Sequence, residues 1–177
     1  FIAQWLEGNG VPVGDKSAAC VHLPKWVMES PDVATIISAL QPWCDGEGCV
    51  SRGDKSLSFV LSQSRHTELT TGDVPSVLAP NGRSISKGSL AKIPLNGMSV
   101  LDYCRLKHRS EVFDDVLALF VRLRFFAKID VSHLHLKQDG LWSCEWRITL
   151  GRSDTLRMMD LGIVTQNRKR AWIADSA

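Results

Sequence analysis

Trp142-Ser143-Cys144-Glu145-Trp146-Arg147-Ile148-Thr149-Leu150 alternates apolar and polar residues without a break. Successive side chains of a β-strand point to opposite faces of a sheet, so this stretch predicts a half-buried strand. Trp142, Cys144, Trp146, Ile148 and Leu150 form the row that needs a core, and Ser143, Glu145, Arg147 and Thr149 the row that faces out. Just upstream, Gln138-Asp139-Gly140 predicts a turn, since Asp bonds its own backbone and Gly accepts a left-handed conformation. Leu117 to Phe125 shows a second alternation. Leu117, Leu119, Val121, Leu123 and Phe125 share one face, against Ala118, Phe120, Arg122 and Arg124 on the other. That pattern predicts a strand with one apolar and one mixed basic face.

Around these strands the chain supplies helices and loops. Ser30-Pro31-Asp32 predicts a helix start, with a Ser cap, Pro at the first position and an acid in the first turn. Val33, Ile36, Ile37 and Leu40 would form its core stripe and Pro42 its end. Ser17 to Met28 reads as a strand with Pro24 at an edge, and Cys44 to Asp54 as a Gly-rich exposed loop. Leu57 to Gln63 reads as a second helix capped by Asp54, with Leu57, Val60 and Leu61 inward. Thr70 to Gly88 is loop-rich, and its apolar piece Val77-Leu78 sits between turn signals. Leu90 to Leu95 reads as a short strand. Ser153-Asp154-Thr155 caps a helix through Leu156 and Met159 that Gly162 stops. Ile163 to Gln166 and Ala171 to Ala174 read as a last hairpin with a basic tip. The sum is an α+β fold: a small twisted antiparallel sheet with helices packed on it.

The chain has 177 residues, 44% hydrophobic and 23% charged, which suits one domain with a real core. Residues 1–16 read separately. Phe1, Ile2, Trp5 and Leu6 make an apolar arm, followed by a Gly-rich linker, ahead of a single globular domain over 17–177. The arm suits self-association. A chain that starts at Phe1 rather than Met also suggests sequence upstream. A net charge of +2 excludes a strongly basic nucleic-acid binder, so any electrostatic partner must meet a local patch. Five cysteines, an odd number without a dense framework, favour reduced thiols in a cytosolic setting. No membrane span or signal peptide is visible, so membrane contact would be peripheral.

Several groups of residues invite chemistry. His133-Leu134-His135 on a strand puts two imidazoles on one face, where they can hold a divalent metal. With Tyr103 and Lys107 they resemble the parts of a metal-dependent nicking or replication-initiation nuclease, in which Tyr attacks a phosphate. Such nucleases place the tyrosine after the histidines, however, and the sequence shows no third acidic ligand. Cys44 and Cys49 make half a zinc site. Arg52-Gly53-Asp54 is too short a motif to mean adhesion. No P-loop, dinucleotide fingerprint or His-Glu-x-x-His motif occurs. Neither a catalytic site nor a cofactor is expected. The basic clusters carry more weight: Arg105, Lys107 and Arg109; Arg122 and Arg124; and Arg168, Lys169 and Arg170. Each can meet anionic lipid or the phosphates of a ribonucleoprotein.

The order of segments resembles a rhabdovirus matrix protein, of the vesiculovirus and lyssavirus kind. A helix from Asp32-Val33-Ala34 runs to Trp43 and a Gly-containing loop. The apolar Leu57-Ser58-Phe59-Val60-Leu61 follows, then Val74-Pro75-Ser76-Val77-Leu78-Ala79 and a turn at Asn81-Gly82. Val116 to Lys128 resembles the lyssavirus pattern. Met158-Met159-Asp160-Leu161-Gly162-Ile163-Val164, and then Ala171-Trp172-Ile173-Ala174-Asp175-Ser176, are similar to the vesiculovirus C-terminus. The resemblance implies a virion protein beneath the envelope, present in host cytoplasm and at the inner face of host membranes. It implies self-association, contact with the anionic inner leaflet and the helical nucleocapsid, and a role in virion assembly and budding. The family's lysine-rich tail and Pro-Pro-x-Tyr motif do not occur in this sequence, where Tyr103 is the only tyrosine.

Overall fold

A computed structural model describes residues 22–53, 56–79 and 83–175. The 142–150 stretch lies within strand β7, Leu141–Leu150, with its apolar row buried as expected. β7 pairs on one side with β6, Ala127–Leu136, and on the other with β2, Ser56–Thr70. Strands β1, Gly48–Gly53, and β3, Ser84–Ser86, extend an antiparallel five-stranded sheet ordered β1-β2-β7-β6-β3. A small second ladder joins β4, Pro94–Leu95, to β5, Met98–Ser99. Its turn is Asn96-Gly97, both at positive φ, as a tight hairpin requires.

Helices α1, Lys25–Glu29, and α2, Val33–Gly46, precede the sheet. The short α3, Lys87–Leu90, then α4, Val100–Lys107, and α5, Glu111–Arg122, lie between β3 and β6. α6, Arg152–Asp160, and α7, Asn167–Ala174, follow β7. Each of these helices contributes buried residues to one hydrophobic core cluster. Trp43 of α2 meets Phe113 of α5 edge-on, with ring centroids 6.2 Å apart. Phe59, Leu61, Phe113, Phe120, Ile148 and Leu150 are fully buried in one cluster. The α+β class and the antiparallel sheet therefore hold.

Two elements exchange identity relative to expectation. Residues 57–63 are strand, not helix: Leu57, Phe59 and Leu61 point inward, and Phe59 and Leu61 pair across to β7. Residues 117–122 are helix, not strand. Val112, Phe113, Val116, Leu119 and Phe120 form a stripe at helical spacing that a window opening at 117 misses. Ser110 caps this helix, its hydroxyl accepting from Phe113 N–H at 3.4 Å and donating to Gln63 Oε1 at 2.5 Å. The cap thus ties the helix to β2.

Other boundaries shift. Of the strand expected over 17–28, residues 25–28 lie in α1 and 22–24 carry no regular structure, while 17–21 fall outside the described residues. The cap of α2 is Asp32, not Ser30: its carboxylate accepts from Ala34 N–H at 3.2 Å and Thr35 N–H at 2.9 Å. Pro42 does not stop α2, whose last turn is held by buried Cys44 and by Lys169. The expected exposed loop after Cys44 is instead the end of α2 followed by β1. The 90–95 segment is the end of α3 and the two-residue β4. The final hairpin is α7, a helix with Ile173 buried. Gly162, at φ 70°, ends α6 as expected. The 1–16 arm lies outside the described residues.

Phe59→Ala is expected to cost about 3–5 kcal/mol in urea denaturation, and Val60→Ala on the outward row no more than about 1 kcal/mol. The opposite ranking would restore a helix at this position.

Candidate functional site

The face of the sheet away from the helices is polar. Ser62 and Ser64 of β2, Glu145 and Arg147 of β7, Asp130, His133 and His135 of β6 and Ser86 of β3 project from it. A bulge sets the register. β6 and β7 pair Asp130 with Arg147 and Val131 with Trp146; the pairing then skips Ser132, so that His133 stands opposite Glu145. The extra residue keeps Leu134 inward and turns both histidines outward. The same-face expectation for His133 and His135 therefore holds, and the structure adds the acidic residue that the sequence did not reveal.

Glu145 is the hub. Its Oε2 lies 3.0 Å from His135 Nε2 and 3.6 Å from His133 Nδ1. Its Oε1 accepts from Arg147 Nε–H at 2.9 Å. The imidazoles stack with centroids 5.7 Å apart at 25°. Burial pushes the Glu145 carboxyl up, but hydrogen bonds from His135, Arg147 and Ser62 outweigh it and hold the group down at about 2. Burial, reinforced by Arg147, lowers His133. Among the described residues, His133, His135 and Glu145 are the grouping able to hold a metal ion. Beside them an open groove of about 700 Å³ is lined by Lys87, Lys128, Asp130, His133 and Arg147.

Tyr103 does not join this group. It packs on the core side, its ring 5.6 Å from His108, while the histidines leave the other face. Cys44 and Cys49 also diverge: Cys44 is buried in α2, and Cys49 is exposed on β1. They do not form half a zinc site, and burial pushes the Cys44 thiol up.

Most of the basic candidates have partners within the chain. Arg105 grips Asp130 with Nε at 2.9 Å and Nη2 at 2.7 Å, and Lys87 adds a contact at 2.5 Å. Burial raises the Asp130 carboxyl, yet these cations bring it down to about 2. Arg109 pairs with Asp114 at 2.7 Å. Arg122 donates to Met28 O at 2.6 Å and to Ser30 O, covering the end of α1. Lys169 donates to Cys44 O at 2.8 Å and Asp45 O at 2.6 Å. Asp45 in turn accepts from the N–H groups of Thr165 and Gln166, so α2 and the start of α7 cap each other. Arg170 reaches Met159 O and Val164 O, both at 3.1 Å. Lys107 and Arg124 are exposed, and Arg168 lies over the Trp172 ring at 5.5 Å.

Large apolar side chains also reach the surface. Val77 is 85% exposed and Leu78 43%. Their loop is anchored by buried Val74 and Ala79, and the Trp142 indole donates to Val74 O at 2.9 Å. Phe126, at 87%, is the most exposed of the large apolar residues described. Compared with protein-family models, curated proteins and solved structures, the chain matches none.

The depressed acids fix a pH dependence. A carboxyl held below its unfolded value stabilises the fold above that value and loses the effect as pH falls toward the folded one. Stability is therefore expected to drop between about pH 4 and about pH 2, and to drop less steeply in Asp130→Asn. Urea titrations across that range check this; identical slopes would mean that the Arg105 and Lys87 contacts do not persist in solution.

Proposed function

We propose that this chain is a matrix-type assembly protein of a rhabdovirus-like virion. It self-associates beneath the envelope, bridges the anionic inner leaflet and the helical nucleocapsid, and drives assembly and budding. It acts by binding rather than turnover, in the host cytoplasm and at the inner face of host membranes. One observation carries the reading: Val77 and Leu78 stand exposed side by side on a loop anchored at both ends. A flexible loop would fold such side chains back onto the protein, since each gains about 1.5–3 kcal/mol on burial. A loop anchored through Val74, Ala79 and Trp142 keeps them outward, which suits a contact with a second copy.

Two further points support it. The order of segments resembles the rhabdovirus matrix family, and an antiparallel sheet packed with helices is in line with the small twisted sheet that resemblance implies. Lys107, Arg124 and Arg168 hold positive charge at the surface, where each is worth about 1 kcal/mol near anionic lipid. In this reading the apolar arm, Phe1, Ile2, Trp5 and Leu6, makes a second inter-subunit contact.

Light scattering of the whole chain across concentration and salt tests the proposal. Growth with concentration is expected for the parent and a strong reduction for Val77→Asp/Leu78→Asp. A parent that stays monomeric throughout would overturn the assembly reading. Undiminished growth of the double variant would remove the loop from it.

A further inference from the structure

We propose that His133, His135 and Glu145 bind one divalent transition-metal ion, with Zn²⁺ the best fit. The inference is independent of the assembly reading. All three ligand atoms lie within 4.8 Å of one another. In a tetrahedral zinc site with bonds of about 2.0–2.1 Å, neighbouring ligand atoms stand about 3.3 Å apart. The two histidine nitrogens lie 3.0 and 3.6 Å from Glu145 Oε2, on either side of that spacing. A small outward shift of the side chains admits the ion without moving the backbone.

The donors also suit the ion. Two imidazoles and one carboxylate make a borderline nitrogen–oxygen set that favours zinc and its neighbours over calcium or magnesium. Arg147 grips both oxygens of the Glu145 carboxylate. Its Nε–H binds Oε1 at 2.9 Å and its Nη2–H binds Oε2 at 3.3 Å, the atom both histidines also approach. Arg147 thereby orients the ligand in the manner of an outer-shell partner. The bulge at Ser132 supplies the other half of the geometry: in an unbroken register Ser132 would stand opposite Glu145, and His133 and His135 would face the core. Three protein ligands leave a fourth position for water or an anion. His133 and Arg147 both line the adjoining groove, which gives that position access from solvent.

The alternative is a plain carboxylate–imidazole cluster that binds no metal. Isothermal titration with Zn²⁺, and visible spectroscopy with Co²⁺, separate the two. Both are run in a Cys20→Ser/Cys49→Ser chain, because Cys49 is an exposed thiol. One ion per chain is expected, with tetrahedral Co²⁺ bands and a zinc-dependent rise in melting temperature. His133→Ala and His135→Ala, at partly exposed positions, should each weaken binding by about tenfold or more and remove the temperature rise. His135→Asn serves if the alanine variant proves unstable. Absence of saturable binding, or binding unchanged in a folded His133→Ala/His135→Ala double variant, overturns the site.

Discussion

Strand β7 runs down the middle of the sheet with a hydrogen-bonded neighbour on each side, and both of its faces are committed. Its inward row is the floor on which the helices rest. Two indoles in that row do more than fill volume. Trp142 donates to Val74 O at 2.9 Å and Trp146 to His108 O at 2.7 Å. An indole N–H buried without a partner costs about 1–3 kcal/mol, so these bonds dictate where other segments pass. The first fixes the loop after β2, and the second fixes the turn between α4 and α5. Ser110, two residues past His108, then caps α5 and bonds Gln63 of β2. Removing the inward row of β7 would leave the helices, the loop and the neighbouring strand with nothing to register against.

The charged groups follow from this packing. With the helices packed into one core, their ends come close to other segments and leave carbonyls that need donors. Arg122 covers the end of α1, and Lys169 covers the end of α2. Arg157 donates to Leu123 O at 2.8 Å and Arg124 O at 2.9 Å, covering the end of α5. A run such as Arg168-Lys169-Arg170 looks like one patch in sequence, but a helix divides it. Lys169 and Arg170 turn back onto the protein, while Arg168 stays at the surface over Trp172. The small net charge of the chain therefore understates how many cations already have fixed positions.

What could be read from sequence depended on whether one period fitted the residues uniquely. In β7 only alternation places every apolar residue together, so the strand, its outward row and the preceding turn were legible. Leu57 to Leu61 fits either period. Leu57, Val60 and Leu61 make a helical stripe, and Leu57, Phe59 and Leu61 a strand row; pairing with β7 decides between them. Residues 117–125 alternate by accident, and the helical stripe appears only when Val112, Phe113 and Val116 are counted with them. The sequence did offer Ser110 with Glu111 and Asp114 in the first turn, a cap signal that outranks the alternation. The site was half legible. His133 and His135 were placed on one face, and Glu145 on an outward row. Their meeting depends on the bulge at Ser132, which no local pattern announces.

The polar face is unsuited to a further layer of helices. A helix laid across it with an apolar stripe would desolvate Glu145, Arg147 and Asp130 and the serines between them, and apolar atoms return no hydrogen bonds. The face would accept a partner that brings its own polar groups or charge. Apolar contact is available elsewhere, at the loop bearing Val77 and Leu78 and at Phe126 after α5. The polar groups and the exposed apolar side chains therefore sit on different elements of the same chain. Occupation of the first does not by its chemistry consume the second.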